Sequence, residues 1–275
     1  MRPLEAGERV LLRDSKGRQY LVTLRAGSHF HSHRGRLAHD ELIGGPEGRV
    51  VRTDLGQKLL ALRPTLADWV VKMPRGAQVI YPKVLALMIM AADVRPGMVV
   101  AEAGAGSGAL SIALLQALAP DGRLTSFELR PEFAAQARAN VEGWFGKLPE
   151  AWDLREGDVV EELRSLGTVD RVLLDLLDPW RVVPAAADTL APGGVVTCFV
   201  ATIPQVMSTV EALRAAARFG QISTDEAILR PWHVDGLSVR PEHRMIGHTG
   251  FLISARRVEA DVERPRQELR LPTDS

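Results

Sequence analysis

The sequence predicts an α/β protein whose main domain is a doubly wound parallel sheet, preceded by a small all-β domain. From residue 98 onward, apolar segments alternate with segments of helical periodicity, which is typical of a parallel sheet covered by helices on both faces. A glycine-rich turn, Gly104-Ala105-Gly106-Ser107-Gly108, joins the first of these strands to the first of these helices. Before residue 74, apolar segments instead recur about every ten residues with turn residues between them, which predicts a small barrel or sandwich.

The domain boundaries follow from this change of pattern. Residues 1–73 are predicted to form short strands at 9–13, 19–24, 49–51 and 58–62. Residues 74–82 form a linker that is rich in proline and glycine, and the second domain extends to residue 258. Residues 259–275 mix charges of both signs with two prolines, so they are predicted to be a mobile tail.

The second domain is predicted to alternate regularly up to residue 219. Its strands are predicted at 98–103, 123–129, 152–157, 170–177 and 194–201. Its helices are predicted at 84–92, 108–119, 131–145, 160–166, 181–190 and 204–219. The last segment departs from this order, because 225–234 and 247–257 both resemble strands, and we expect them to close the sheet as an antiparallel pair.

The overall charge is balanced, but its distribution along the chain is uneven. The formal net charge is zero, yet residues 1–75 contain 14 Lys and Arg against 8 Asp and Glu. A basic N-terminal third can be a binding surface for a polyanion, and it can equally be an ordinary solvated surface. Four of the seven histidines also lie there, at positions 29, 31, 33 and 39. Without a nearby cysteine they are interpreted as polar loop residues, and no metal site is predicted.

Several classes of protein are excluded by the composition. No apolar stretch approaches the ~18 residues that a transmembrane helix requires, so no membrane association is expected. The charged N-terminus has no apolar signal core, which predicts a cytoplasmic protein. Cys198, the single cysteine, cannot form an internal disulfide and is expected to be a small buried side chain.

The glycine-rich turn indicates a nucleotide-type cofactor. Gly104-x-Gly106-x-x-Ala109 also satisfies the relaxed dinucleotide fingerprint, in which a pyrophosphate lies at the helix N-terminus. Glu102 favours a different ligand, because a carboxylate just before the first glycine repels a pyrophosphate. The same carboxylate can accept hydrogen bonds from the cationic amino-acid end of S-adenosylmethionine. S-adenosylmethionine is therefore the preferred cofactor, and an NAD-type oxidoreductase is the alternative.

Further acids are predicted at the carboxyl ends of the parallel strands, where open α/β sheets bind their ligands. Glu128 ends the second strand and can accept hydrogen bonds from both ribose hydroxyls of either cofactor. Asp158 follows the third strand, where it can meet the adenine amino group or simply belong to a surface turn.

Asp175 ends the fourth strand and is followed by Pro179 and Trp180. An acid at this position can accept a hydrogen bond from the exocyclic amine of a methyl acceptor, and the aromatic side chain can hold the acceptor's ring. The alternative is structural, with Asp178 capping the next helix and Trp180 in the core.

These segments together resemble one family. They are Gln78-Val79-Ile80-Tyr81-Pro82-Lys83, Glu102 to Gly108, Ser126-Phe127-Glu128-Leu129-Arg130, Asp175-x-x-x-Pro179-Trp180 and Gly247-His248-Thr249-Gly250-Phe251-Leu252. Their order is similar to that of the TrmI family of tRNA (adenine-N1)-methyltransferases, and the likeness extends from residue 1 to 257. The resemblance implies a class I, Rossmann-like methyltransferase fold.

The resemblance also implies a function. Such enzymes use S-adenosylmethionine to methylate N1 of adenosine 58 in the T-loop of tRNA, and the bacterial members are homotetramers. It implies that Asp175 and Tyr81 take part in catalysis and that Tyr81, Trp180 and His248 bind the substrate. It implies a cofactor site made of Gln78, Glu102, Gly104, Ala105, Gly106, Ser107, Gly108, Glu128, Asp158 and Asp175.

One departure from the family pattern is visible. The family commonly has Asp after Tyr-Pro-Lys, whereas this chain has Val84, so any hydrogen bond which that Asp makes is absent. The chemistry requires no metal, because N1 of adenine already carries an in-plane lone pair. A non-catalytic RNA-binding relative is a third interpretation, which the presence of Asp175 disfavours.

Overall fold

The computed structural model describes residues 2–76 and 79–259. The chain divides into two compact units between Met73 and Pro74. Gln78 and residues 260–275, which include nearly all of the predicted tail, lie outside the described residues.

The N-terminal unit contains a four-stranded antiparallel sheet and a separate hairpin. Its strands are β1 (Arg9–Asp14), β2 (Gln19–Thr23), β3 (His29–Ser32), β4 (Gly35–Ala38), β5 (Arg49–Arg52) and β6 (Lys58–Leu62). The sheet has the order β2-β1-β6-β5, and β3 pairs with β4. Phe30 and Leu37 of the hairpin pack with Val10, Leu12 and Leu59 of the sheet in one apolar core. The arrangement is therefore two packed layers and not a closed barrel.

The prediction that residues 1–73 contain only strands was wrong at one place. Helix α1 spans Leu66–Lys72 and buries Trp69 and Val70. It begins with a capping box in which Thr65 accepts a hydrogen bond from the backbone of Asp68, and the Asp68 side chain accepts from the backbone of Thr65. The sequence signal for this helix was the Thr-x-x-Asp spacing before an apolar pair.

The second unit is built on a seven-stranded mixed sheet, which confirms the predicted fold class. Its strands are β7 (Val99–Ala103), β8 (Arg123–Glu128), β9 (Trp152–Glu156), β10 (Val169–Asp175), β11 (Leu190–Val200), β12 (Phe219–Glu226) and β15 (Phe251–Arg257). The sheet order is β12-β15-β11-β10-β7-β8-β9. Neighbouring strands from β11 to β9 are parallel, and β15 is antiparallel to both β11 and β12.

In the part of the chain that the structure describes, six α-helices accompany the sheet. They are α2 (Pro82–Ala91), α3 (Ala109–Leu118), α4 (Pro131–Phe145), α5 (Val159–Glu162), α6 (Val183–Thr189) and α7 (Ile203–Ala215). Helix α3 packs with α2, α4 and β8, whereas α7 packs with α6, β12 and β15. The core lies mainly under β10 and β11, where Val172, Leu174, Val196 and Cys198 are fully buried.

The segment between β12 and β15 differs from the predicted strand at 225–234. Strand β12 begins earlier, and its exposed end, Thr224-Asp225-Glu226, is too polar to be recognised as a strand from an apolar pattern. The chain then forms a hairpin of β13 (Trp232–Asp235) and β14 (Ser238–Pro241), which is separate from the main sheet. The expected antiparallel pair exists, but it is formed by β12 with β15.

Candidate functional site

The site lies at the carboxyl edge of the parallel strands, as expected for an open α/β sheet. A cavity of about 370 Å³ at this edge is lined by Gly104, Glu128, Arg130, Asp158, Asp175 and Arg181, among others. The ends of β7, β8, β9 and β10 thus bring together the glycine turn and three of the four acids that were singled out in the sequence.

Gly104 sets the distance between the glycine turn and β10. Its φ is +85°, and a Cβ placed on it would lie 2.0 Å from the carbonyl oxygen of Asp175. Its N–H donates to the carbonyl of Phe127 on β8. Glycine is required here by the approach of two backbones as well as by the left-handed conformation. The turn is consequently fixed against both neighbouring strands.

Glu128 is buried and holds the glycine turn from the other side. Its Oε2 accepts from the backbone N–H of Gly106 at 2.9 Å, and its Oε1 accepts from that of Arg130 at 3.1 Å. A carboxylate offers about four lone-pair directions, so each oxygen retains capacity for one more donor. Two vicinal hydroxyls are suitable donors for that capacity.

Asp158 caps a helix and also lines the cavity, so its suggested contact with an adenine amino group stays a prediction. Its Oδ1 accepts from the backbone N–H of Val160 at 2.9 Å and so caps α5. Its Oδ2 lies 4.0 Å from a guanidinium nitrogen of Arg181, and Asp158 also lines the cavity. Arg181 pairs more closely with Asp178, at 3.1 Å.

Glu102 is almost fully buried and, unlike the other three acids, is not among the residues that line the cavity. Its Oε2 accepts from the hydroxyls of Ser111 at 2.7 Å and Ser126 at 2.5 Å. Its Oε1 is buried without a hydrogen-bond partner among the described residues. The pKa of Glu102 is raised to about 7. Burial is the main cause and the charge of Glu128 acts in the same direction, whereas the hydrogen bonds from the two serines lower the pKa.

Asp175 is partly buried at the end of β10 and lines the cavity. Removal from water raises its pKa to about 7, and the charges of Glu102 and Glu128 contribute in the same direction. The carboxylates of Glu102, Glu128 and Asp175 therefore repel one another, and positive charge would relieve this repulsion.

The segment before α2 meets the same acid. Val79 and Ile80 line a narrow cleft together with the glycine turn and Asp175. Tyr81 follows directly as the N-cap of α2, partly buried, with Pro82 in the first turn. Val84 is buried in the core, and α2 begins without a side-chain cap. An apolar contact thus occupies the position at which the family commonly has Asp.

His248 lies near the ends of β11 and β12, on the opposite side of β10 from Glu128 and Asp158. Its Nδ1 is 2.7 Å from Oε1 of Glu226, and its Nε2 is 3.3 Å from the carbonyl oxygen of Ala201. Glu226 is the main cause of the raised pKa of His248, since the imidazolium form donates from both nitrogens. The ring packs on Phe251, with 5.0 Å between ring centroids. Both of its polar atoms are thus already engaged within the protein.

Trp180 is partly buried in a short turn, Pro179–Arg181, that packs against α7. It is not among the residues that line the cavity or the narrow cleft. Asp178 does not cap a helix through its side chain, which rules out that part of the structural alternative. The sequence prediction that Trp180 binds substrate has no support from this geometry and stays a prediction.

Sequence reasoning gave no role to Lys83, Arg130 or Arg181. Arg130 and Arg181 line the cavity, where they lie beside Glu128 and Asp158. Lys83 was visible only as part of the Tyr-Pro-Lys motif, and it contacts three backbone carbonyls far along the chain.

Among residues 2–76 and 79–259, no group of three or more His, Cys, Asp and Glu is arranged to hold a metal ion, and none of the helices there could cross a membrane. Cys198 is fully buried, and burial raises the pKa of its thiol to about 12.

Family models match both units of the chain. The model described as the tRNA methyltransferase complex GCD14 subunit matches residues 58–240, and one described as TrmI-like N-terminal matches residues 3–51. A tRNA (adenine(58)-N(1))-methyltransferase TrmI of Thermus thermophilus is 38% identical over 260 residues, covering 91% of this chain and 97% of the relative. A TrmI of Methanocaldococcus jannaschii, named for adenines 57 and 58, is 33% identical, covering 90% and 94%.

Solved structures agree with these relatives. TrmI from Aquifex aeolicus superposes with a TM-score of 0.81 at 25% identity and covers 94% of this chain and 99% of its own. A Thermotoga maritima protein described as a SAM-dependent O-methyltransferase superposes with a TM-score of 0.86 at 32% identity, covering 93% and 94%. The NAD-type oxidoreductase interpretation is thereby excluded. The chain belongs to the TrmI family of tRNA (adenine-58-N1)-methyltransferases.

Proposed function

We propose that this chain transfers a methyl group from S-adenosylmethionine to N1 of adenosine 58 in the T-loop of tRNA. The observation that carries the proposal is Asp175, an acid with a pKa of about 7 that lies against the glycine turn. The TrmI relatives named above act on this adenosine. Mass spectrometry of nucleosides from unmodified tRNA, after incubation with the protein and S-adenosylmethionine, tests the proposal directly.

The residues at the edge fit this cofactor. Glu128 would receive the ribose hydroxyls on its two oxygens, and Asp158 would meet the adenine amino group through Oδ2. The amides of the glycine turn approach the ligand without side chains between them. The unpartnered Oε1 of Glu102 is a buried acceptor that a cationic amino-acid end can satisfy. Asp175 adds negative charge near the same place.

The chemistry needs alignment more than activation. The cofactor supplies an electrophilic methyl group on a sulfonium, and N1 of adenine supplies the lone pair. Methylation makes the base cationic and acidifies its 6-amino group. Asp175 can stabilise the developing positive charge and accept the released proton, because its pKa near 7 suits both states at physiological pH.

The target base must leave the folded tRNA to reach this edge. Tyr81 is proposed to stack on the extruded adenine, and the support is its position at the start of α2, directly after Val79 and Ile80, which line the cleft with Asp175. His248 has both ring nitrogens engaged with Glu226 and Ala201, so its proposed role is to hold the surrounding loop and not to donate to the base. Val84 offers no polar contact, so hydrogen bonds to the base must come from other residues.

The Thermotoga relative is the reason to consider a second acceptor, a hydroxyl group. Fragmentation of the modified nucleoside separates the two possibilities. An added methyl group found on the base fragment supports transfer to N1. An added methyl group found on the ribose fragment would identify an O-methyltransferase.

We expect Asp175→Asn to lower the single-turnover methylation rate on the order of 10²–10³-fold, because the variant keeps the size but loses the negative charge. The measurement uses saturating cofactor and tRNA, so that weakened binding does not contribute. Asp170→Asn is the matched control, since Asp170 lies at the opposite end of β10 and accepts a hydrogen bond from Val99. A wild-type rate in the Asp175 variant would remove this residue from the chemistry.

We expect S-adenosylmethionine to bind more tightly as the pH rises from 6 to 8. Glu102 and Asp175 have raised pKa values of about 7, so they are partly protonated at pH 6 and ionised at pH 8, and only the ionised forms attract a cation. Calorimetric titration across this range measures the trend. Glu102→Gln should flatten it, whereas the exposed Glu161→Gln should leave it intact. A trend that Glu102→Gln does not alter would place Glu102 outside the cofactor site.

The N-terminal unit offers a surface for the RNA backbone. Arg52 and Lys58 are exposed and lie directly opposite each other on β5 and β6. Like charges in this arrangement are unfavourable without an anion. Arg34 is close by, since its carbonyl accepts from the hydroxyl of Thr53 at 2.6 Å.

None of these three side chains forms an ion pair within the described parts of the chain, in contrast to Arg63, which pairs with Glu8 and Glu47. We propose that this group binds tRNA phosphates.

We expect Arg52→Gln with Lys58→Gln to weaken tRNA binding and to make its salt dependence shallower by about 1–2 units in log K against log salt. S-adenosylmethionine affinity should not change. Arg2→Gln is the control, because Arg2 already pairs with Glu5 and Glu8. An unchanged salt slope in the double variant would leave this surface without a role in docking.

The hairpin of β13 and β14 supports the proposal that the protein is a homotetramer. Trp232, Val234, Leu237 and Val239 are exposed on it, and Ile228, Leu229, Met245 and Ile246 are exposed beside it. An isolated two-stranded hairpin is only marginally stable in water, and an apolar patch of this kind marks an interface. Because tRNA is the proposed substrate, we also propose a cytoplasmic location.

We expect Trp232→Ser with Leu237→Ser to dissociate the tetramer, because the substitutions remove apolar area that only a partner can cover. Sedimentation equilibrium measures the mass, and circular dichroism checks the fold. Leu55→Ser, an exposed leucine of the N-terminal unit, should leave the assembly intact. A tetramer that persists in the double variant would assign the interface to another surface.

A further inference from the structure

Lys83 is held by three backbone carbonyls from two distant segments. Its ammonium nitrogen is 2.7 Å from the carbonyl oxygen of Ala227, 2.6 Å from that of Gly247 and 3.2 Å from that of Ile246. An ammonium has three N–H donors, and this arrangement uses all of them. The hydrogen bonds of the Lys83 side chain therefore connect α2 to segments that lie 144 or more residues later in the sequence.

These carbonyls lie at a specific part of the carboxyl edge. The sheet order is β12-β15-β11-β10-β7-β8-β9, and the acids proposed to bind the cofactor follow β8, β9 and β10. Ala227 follows β12, and Gly247 precedes β15 by a few residues, at the same edge because β15 runs antiparallel. Lys83 therefore binds the half of the edge that lies beyond β10 from the cofactor residues.

The backbone of Lys83 is close in sequence to a residue that lines the cleft together with Asp175. It lies in the first turn of α2, two residues after Tyr81 and three after Ile80. Ile80 lines the narrow cleft together with Asp175. Lys83 thus links the segment beside the acid to the loop that ends in Gly247.

The same loop is fixed at a second point. His248 follows Gly247, and its ring bridges Glu226 at the end of β12 to Ala201 just after β11. Phe199 of β11 is the register partner of Asp175. Lys83 and His248 therefore both fix the loop around Gly247, on the β11 side of Asp175, and Tyr81 lies two residues before Lys83.

We propose that Lys83 is a positioning residue for the target adenosine, and that it fixes Tyr81 and residues 246–248 as the two walls of the pocket into which the base is extruded. The inference rests on the proposed function. Lys83 does not touch the reacting atoms; it acts through the backbone that it holds. Its loss should therefore affect the RNA and leave the cofactor half of the edge unchanged.

The test compares Lys83→Met, Lys83→Arg and the control Lys147→Met, in which an exposed lysine of the same unit is changed. We expect Lys83→Met to lower kcat/KM for tRNA on the order of 10²-fold, the cost of a misplaced reactant. The Kd for S-adenosylmethionine should stay within about twofold, because the cofactor acids are not displaced. Arginine should restore part of the activity, since a guanidinium can also donate to several carbonyls. Hydrogen exchange of residues 246–250 should be faster in the methionine variant.

Several outcomes would overturn the inference. Wild-type kcat/KM in Lys83→Met would show that the pocket forms without the lysine. An equal loss of cofactor affinity and tRNA activity would show a general structural role. If Lys83→Met does not fold, Lys83→Arg carries the test through the same separation of tRNA kcat/KM from cofactor Kd. Failure of the proposed function has a different signature, namely that the wild-type protein forms no 1-methyladenosine at position 58.

Discussion

The approach of Gly104 to the carbonyl of Asp175 is the constraint on which the site depends. Two adjacent parallel strands end at the same level, and the turn after one passes so close to the other that no side chain fits between them. The acid is thereby held beside the amides that the glycines leave uncovered. Glu128 secures the turn from the next strand. The position of the acid thus follows from backbone packing, whereas its charge state follows from the surrounding carboxylates.

The proximity of these carboxylates to one another is electrostatically unfavourable. Glu102 and Asp175 both have raised pKa values, and Glu128 opposes the ionisation of each. Such clusters are more common at functional sites than elsewhere, because a structural role rarely needs mutual repulsion. The negative charge of these carboxylates would favour a cationic cofactor, and it would also favour an adenine that becomes cationic on methylation.

The sequence predicted the residues at the carboxyl ends of the strands better than the long-range contacts on the β11 side of Asp175. The glycine turn and the strand-end acids were accessible because each is local: an apolar run stops, and an acid or glycine follows. The bonds of Lys83 and the bridge made by His248 join segments that no short-range pattern connects. The shifted β12 was missed because its exposed end is polar, and the hairpin β13–β14 was missed because each of its strands has only four residues. Helix α1 was the exception, because its Thr65–Asp68 capping signal was present and unused.

The position of β15 has a consequence for how the molecule is completed during synthesis. This strand is the last of the sheet in sequence, yet it lies between β11 and β12, in the interior and not at an edge. Strand β12 therefore has no neighbour in the sheet until residues 251–257 have left the ribosome. The residues that line the cavity are all synthesised by residue 182, whereas the loop around Gly247 and β15 come near the end of the described chain. In a nascent chain, the proposed cofactor site can thus form before the proposed pocket for the base.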